Sequence, residues 1–297
     1  MDQETAQMRR QLCTLHAALE LVPAPLFVVS DLDGTLLDRR ERVSPHMREV
    51  VGRMAEQGTV FTLATGRPAR WVLPVIEQLP VQPLCVCANG AVVYDSAKDE
   101  IVRAMELNSA TLSTVIQRLT AGAEGTALHG AGFAVERAGT SAFDRADELF
   151  CVTEGYDHAW LSDEHKVLST EDLIAQPAVK LLVRNENVSS QELFDAVAPR
   201  LDPREVHATF SWGGGLVEIS APGVSKRTSL EWIAERLGVQ ATETIAFGDM
   251  PNDLEMLGWA GTAVAMGNAH DDVKAAADLV TASNNDDGVA AVLARWF

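Results

Sequence analysis

Two aspartates separated by one residue close an apolar run in Phe27-Val28-Val29-Ser30-Asp31-Leu32-Asp33-Gly34-Thr35-Leu36-Leu37. Successive strand side chains alternate faces, so an extended chain through residue 33 would aim Asp31 and Asp33 the same way. Carboxylates placed side by side repel each other. A bound cation or a proton-transfer task would hold such a pair, whereas the motif on its own also reads as an acidic turn closing a strand. Gly34 permits backbone conformations that a β-carbon hinders, and it lets a ligand come close.

Three more loops carry groups of the same kind. Ala64-Thr65-Gly66-Arg67 offers a hydroxyl that alone reads as a helix N-cap. Gly223-Val224-Ser225-Lys226 puts a lysine in the first turn of an expected helix. The macrodipole disfavours a cation there, so Lys226 is either a solvated lysine or one with an anion beside it. Gly248-Asp249-Met250-Pro251-Asn252-Asp253 reads alone as an acid-rich helix start, with Pro251 at the first helical position. Taken together, the four loops bring carboxylates, a hydroxyl, a lysine and an asparagine to the ends of expected strands. In open α/β sheets, ligands bind beyond the carboxyl ends of the strands. Hard oxygen donors with a phosphate nearby suit Mg²⁺, which would also remove the repulsion between the acids.

The elements that must position these loops alternate in type. Strands are expected at residues 26–30, 59–64 and 84–88, the last ending at the turn signal Asn89-Gly90. Helices are expected at 45–57, with Ser44 as N-cap, Pro45 at its start and Gly58 closing it, and from Pro68 through residue 79. After residue 220 the alternation resumes: a helix at 225–237, a strand at 244–247, a helix at 251–258, short strands at 262–265 and 279–280, and a helical C-terminus. Apolar strands alternating with helices specify a parallel sheet covered on both faces. The middle is less regular, with strands expected at 91–94, 101–104, 133–135, 179–184, 205–211 and 215–219 and helices at 109–120 and 190–201. This gives an α/β fold, a doubly wound and mostly parallel sheet formed by 26–90 and 221–297, interrupted by an inserted α+β domain at 91–220. Residues 1–25 form an expected helical extension with Met8, Leu12, Leu15 and Leu19 at helical spacing. That helix can pack on its own domain or on a second subunit, so a homodimer is one outcome.

Composition excludes several classes. The chain of 297 residues is 47% hydrophobic and 22% charged, ordinary for a globular protein. Its net charge of −18 argues against nucleic-acid binding, which rests on cations neutralising phosphates. No apolar run is long enough to span a membrane, and the N-terminus lacks the pattern of a signal peptide. The four cysteines, Cys13, Cys85, Cys87 and Cys151, fit no zinc spacing; as buried thiols they suit a cytoplasmic location.

In this order, the four motifs resemble the haloacid dehalogenase superfamily of phosphohydrolases, and the finer pattern is similar to its Cof-type subgroup, whose α+β cap follows the third strand. Residues 88–91, 264–269 and 285–290 belong to the same resemblance, which spans about residues 26–297. Arg227, where relatives often carry Gly, departs from the pattern and is expected to narrow the site near Lys226. The resemblance implies aspartyl-phosphate chemistry. Asp31 would be the nucleophile and Asp33 the general acid and base. Magnesium would be held by Asp31, the Asp33 carbonyl and Asp249, with Asp253 in support. Thr65, Gly66, Lys226 and Asn252 would bind the phosphoryl group of a small phosphorylated metabolite, by default a sugar phosphate, with a flavin or pyridoxal phosphate as the variants. A phosphomutase shares these motifs. A phosphoacceptor module or a regulatory protein on an inactive scaffold are rivals of another class, disfavoured by Asp33 and by the complete catalytic set. Substrate choice is expected in the cap, with Lys180, His207 and Phe210-Ser211-Trp212-Gly213-Gly214-Gly215 as candidates.

Overall fold

The computed structural model describes residues 23–158, 164–210 and 213–297. The expected N-terminal helix up to residue 22, Cys13, and Ser211 and Trp212 lie outside the described residues. Along the chain the strands are β1 (Phe27–Ser30), β2 (Val60–Ala64), β3 (Leu84–Cys87), β4 (Val92–Asp95), β5 (Glu100–Ala104), β6 (Gly132–Glu136), β7 (Phe150–Thr153), β8 (Lys166–Leu168), β9 (Lys180–Arg184), β10 (His207–Thr209), β11 (Leu216–Ser220), β12 (Thr244–Gly248), β13 (Thr262–Ala265) and β14 (Leu279–Val280). The helices used below are α1 (Pro45–Glu56), α2 (Leu73–Ile76), α3 (Ser109–Thr120), α4 (Ser190–Val197), α5 (Lys226–Leu237), α6 (Leu254–Trp259), α7 (Asp271–Ala276) and α8 (Gly288–Leu293). The described chain forms two units, one from the residues up to Asp99 with Ser225–Phe297, the other from Glu100–Val224.

In the first unit the strand order is β14-β13-β12-β1-β2-β3-β4. All neighbours are parallel except the β3–β4 hairpin. Phe27, Val28 and Val29 are wholly buried, as befits a central parallel strand covered on both faces. Helix α1 packs on β2 and against α8, while α5 and α6 pack together, α5 on β3 and α6 on β12 and β13. From β1 the chain winds outward in one direction through β2 and β3; β12, β13 and β14 wind outward in the other. The crevice at that reversal lies at the carboxyl ends of β1 and β12, where an open α/β sheet takes its ligand. Register keeps those ends level, because Ser30 sits opposite Phe247 and the Asp31 N–H donates to the Phe247 carbonyl at 3.0 Å.

Local chemistry sets the helix ends. Ser44 accepts from the Met47 N–H at 3.0 Å, Pro45 occupies the first turn of α1, and Gly58 follows it at φ +80°. The helix expected from Pro68 through residue 79 is instead a 3₁₀ turn, Ala69–Trp71, followed by the single turn α2. Pro74 has no N–H and disfavours helical geometry at the residue before it, so one continuous helix cannot pass through it. Pro199 likewise ends α4 at Val197, with a 3₁₀ turn Ala198–Arg200 after it. The helix expected at 251–258 begins as a 3₁₀ turn, Pro251–Asp253, and becomes α6 only at Leu254.

The second unit contains the sheet β10-β11-β9-β6-β7-β8, antiparallel except between β7 and β8. One face carries Leu181, Val183, Val217 and Ile219, packed with Leu112, Val115, Leu193 and Val197 of α3 and α4. The other carries Ala134, Phe150, Val152, Leu182 and Leu216 around Tyr156. The alternation expected of a half-covered antiparallel sheet produces this division.

Tight backbone approaches fix how the loops meet in the first unit. Gly90 lies at φ +103°, and a β-carbon there would stand 2.0 Å from the Ser225 carbonyl oxygen. Its own carbonyl accepts from the Ser229 hydroxyl at 2.7 Å. Gly90→Ala is therefore expected to cost about 3 kcal/mol, from backbone strain and displacement of α5, measured by urea unfolding.

Candidate active site

The chain leaves β1 at Ser30 and turns at once. The N–H groups of Thr35 and Leu37 fold back onto the Leu32 carbonyl, at 3.3 and 3.0 Å, and that of Leu36 onto the Asp31 carbonyl at 3.3 Å. Strand alternation thus stops before Asp33, so the turn and not the strand period sets where its side chain lies. Asp31 is buried, whereas the Asp33 side chain is 56% exposed and meets Arg67. The Arg67 Nε donates to Asp33 Oδ2 at 2.8 Å and Nη2 to Oδ1 at 2.5 Å.

Asp31 instead gathers with the two acids after β12. Oxygens of Asp31, Asp249 and Asp253 lie within 4.8 Å of one another. Lys226, the first residue of α5, places Nζ 2.6 Å from Asp31 Oδ1 and 2.6 Å from Asp253 Oδ1. Its side chain is fully buried, which settles the choice between a solvated lysine and one beside an anion: the anions are the carboxylates of the chain itself. Ser225 caps this helix by accepting from the Thr228 N–H at 3.3 Å.

Each acid is held differently. Asp253 Oδ2 accepts the N–H groups of Asp249 and Met250 at 2.9 and 3.0 Å, so both of its oxygens are engaged and it braces the loop. Asp249 Oδ1 accepts from the Thr35 hydroxyl at 2.8 Å. Its Oδ2 would stand 2.3 Å from a β-carbon on Gly34, so that glycine leaves the space the carboxylate fills. Thr65 is buried after β2, and its Oγ1 accepts from the Arg67 N–H at 3.1 Å. Gly66 lies against the Asn89 side chain, whose Oδ1 accepts from Asn252 Nδ2 at 3.0 Å.

The electrostatics are strained in one direction. Burial pushes the Asp31 carboxyl well above the usual range against the pull of Lys226, and Asp253 and Asp249 push the same way. Burial and the neighbouring Asp253 raise Asp249 to about 6 despite the Thr35 hydrogen bond. For Lys226, burial opposes its charge, but Asp253 and Asp31 outweigh it and raise it above the usual lysine range. Among the described residues, three carboxylates gather around one buried ammonium, so acids outnumber cations in the cluster. The described hydrogen bonds of Asp31 and Asp249 use Oδ1 of each, and Oδ2 of each can serve a cation. The oxygen donors and uncompensated charge fit a divalent metal.

The remaining sequence candidates have partners within their own units. Arg227 donates to Glu231 at 2.8 Å along the exposed side of α5 and does not narrow the site. In the second unit Lys180 pairs with Glu218 at 2.7 Å, His207 lies exposed on the edge strand β10, and Phe210 stacks edge-on with Phe194 at 5.5 Å. Gly215, at φ +81°, packs against the Asn185 carbonyl. Asn89 belongs to a turn signal and to the motif at residues 88–91, but neither assigns it a partner. Its left-handed conformation, φ +57°, directs it to Asn252, a pairing no local pattern encodes.

The profile of the haloacid dehalogenase-like hydrolases matches residues 28–293. A 5-amino-6-(5-phospho-D-ribitylamino)uracil phosphatase of Bacillus subtilis (strain 168) is 30% identical over 92% of this chain and 98% of its own. A pyridoxal phosphate phosphatase of Escherichia coli (strain K12) is 26% identical over 89% of this chain and 95% of its own. Among solved structures, a haloacid dehalogenase-like hydrolase from Bacteroides thetaiotaomicron superposes with a TM-score of 0.71 at 26% identity, covering 91% of this chain and 99% of that one. The chain belongs to the haloacid dehalogenase-like hydrolase family, in its Cof-type subgroup, and is a phosphohydrolase.

Lys226→Met would leave Asp31 and Asp253 buried without their cation. The metal-free variant is expected to lose about 3–5 kcal/mol of stability near neutral pH in urea unfolding. A carboxyl whose folded pKa is raised costs stability only where the unfolded chain ionises it. The deficit should therefore shrink as the pH falls toward the usual carboxylate range.

Proposed function

We propose that this protein is a Mg²⁺-dependent phosphatase that hydrolyses a small phosphomonoester through an aspartyl phosphate on Asp31. The observation that carries this reading is the buried cluster of Asp31, Asp249, Asp253 and Lys226 at the carboxyl ends of β1 and β12. Asp31, just past the carboxyl end of β1, is the group that attacks phosphorus in line with the leaving oxygen, with one of its oxygens steadied by Lys226. As the bond to the leaving oxygen breaks, Asp33 gives that oxygen a proton. Asp33 then takes a proton from the water that attacks the acyl phosphate, and inorganic phosphate leaves.

Asp31, the Asp33 carbonyl and Asp249 would hold Mg²⁺, with Asp253 fixing the loop that carries Asp249. When bound, the metal supplies charge stabilisation for the phosphoryl oxygens. Lys226, Thr65, Asn252 and the backbone near Gly66 stabilise the same oxygens, in a reaction whose catalysis is mostly positioning and electrostatics. The substrate is a phosphorylated metabolite, with sugar phosphates first; the relatives that act on a ribitylaminouracil phosphate and on pyridoxal phosphate widen the range. Cys85, Cys87 and Cys151 are free and buried, in keeping with work in a reducing cytoplasm. Among the described residues no helix is long and apolar enough to cross a membrane.

Phosphate release from a panel of phosphomonoesters with Mg²⁺ tests the activity. Asp31→Asn is expected to lower turnover by on the order of 10³-fold or more with the fold retained by circular dichroism. Full turnover in that variant would overturn the nucleophile assignment. EDTA should abolish phosphate release and added Mg²⁺ restore it, whereas activity surviving metal removal would contradict the metal's role.

A further inference from the structure

The guanidinium of Arg67 plays no part in the reaction just described, yet it occupies both oxygens of Asp33. Its Nε and Nη2 meet Oδ2 and Oδ1 at 2.8 and 2.5 Å, a two-pronged grip that fixes the direction of a carboxylate as well as its distance. The two partners differ in how firmly they are held. Asp33 lies on the turn beyond β1, next to Gly34 at φ +79°, with its side chain 56% exposed, so packing does not set its orientation. Arg67 is anchored: its N–H donates to Thr65 Oγ1 at 3.1 Å, its carbonyl accepts from the Ala88 N–H at 2.9 Å, and its side chain is only 17% exposed. Glu41 Oε1 also lies 3.4 Å from Nη2. An ion pair this exposed on the acid side adds little to stability, so stability is a weak reason for it.

We infer that Arg67 is a positioning residue for Asp33, holding the proton-transferring carboxylate in place through its guanidinium fork. The inference rests on the proposed role of Asp33 and adds a residue to it. Lysine brings the charge but not the planar fork, so it cannot restore the orientation.

The test compares the Mg²⁺-loaded enzyme on an alkyl phosphate, whose leaving oxygen needs a proton, and on p-nitrophenyl phosphate, whose leaving oxygen does not. The readout is kcat/KM, which reports on transfer of the phosphoryl group to the enzyme. For Arg67→Ala and Arg67→Lys, the loss on the alkyl phosphate should exceed that on p-nitrophenyl phosphate by about 10–100-fold. Asp33→Asn should show the same bias, and Arg67→Ala combined with Asp33→Asn should be no worse than Asp33→Asn alone. Turnover of p-nitrophenyl phosphate also reports that each variant is folded. Equal losses on both substrates, or losses that add to those of Asp33→Asn, would overturn the inference and assign Arg67 to phosphate binding or to the fold. If Asp33→Asn itself shows no leaving-group bias, the proposed role of Asp33 falls and the inference with it. If Asp33→Asn is biased and the Arg67 variants are not, the inference alone fails.

Discussion

Lys226 joins two carboxylates that the chain places far from it, and the arrangement of the first unit follows from that contact. Its ammonium lies 2.6 Å from Asp31, 195 positions away, and 2.6 Å from Asp253, 27 positions away. All three side chains are buried, and a buried charge without partners costs several kcal/mol. The end of β1, the start of α5 and the loop after β12 must therefore meet at one point. Glycines make the meeting possible: a β-carbon on Gly34 would strike Asp249, one on Gly248 would strike Asp253, and one on Gly90 would strike the Ser225 carbonyl. The lysine offsets only part of the acid charge around it, and that residue of negative potential makes the crevice receptive to a divalent cation.

A second set of contacts holds the turn that carries Asp33. Asn268 donates to the Gly34 carbonyl at 2.8 Å and accepts from the Asn284 N–H at 3.0 Å. Asn284 donates to the Leu37 carbonyl at 2.8 Å, and Asn285 accepts from the Arg39 N–H at 3.0 Å. These amides supply hydrogen bonds that no strand provides there, so an irregular segment keeps a defined path. In the second unit a different economy holds. Lys180 and Glu218 form a buried ion pair on one sheet face, while the opposite face is sealed by α3 and α4.

Most of the regular fold was legible locally. The helix expected at 109–120 is observed over that span, and Ser44, Pro45 and Gly58 do at α1 what their chemistry prescribes. Two strands escaped notice. Phe150–Thr153 has an apolar run too short to stand out, and Lys166–Leu168 is largely exposed, so its pairing with β7 came from register rather than pattern. Prolines shortened helices where apolar spacing alone would have extended them, because periodicity records which face is buried and says nothing about missing N–H groups.

Local pattern tells which groups are present and where along the elements they lie: acids, a threonine, a lysine and an asparagine, each just after a strand or at the start of a helix. Strand period and capping chemistry are properties of a few neighbouring residues, so one chain suffices to read them. The distances and partners of those acids came from the folded chain. It set Asp31 beside Asp249 and Asp253 and paired the half-exposed Asp33 with Arg67, because the backbone leaves its extended path at Ser30. It also turned Lys226 from an unfavourable charge at a helix start into the counterion of the buried acids. Those outcomes depend on distances between segments that are remote along the chain, and distances of that kind exist only once the sheet has formed.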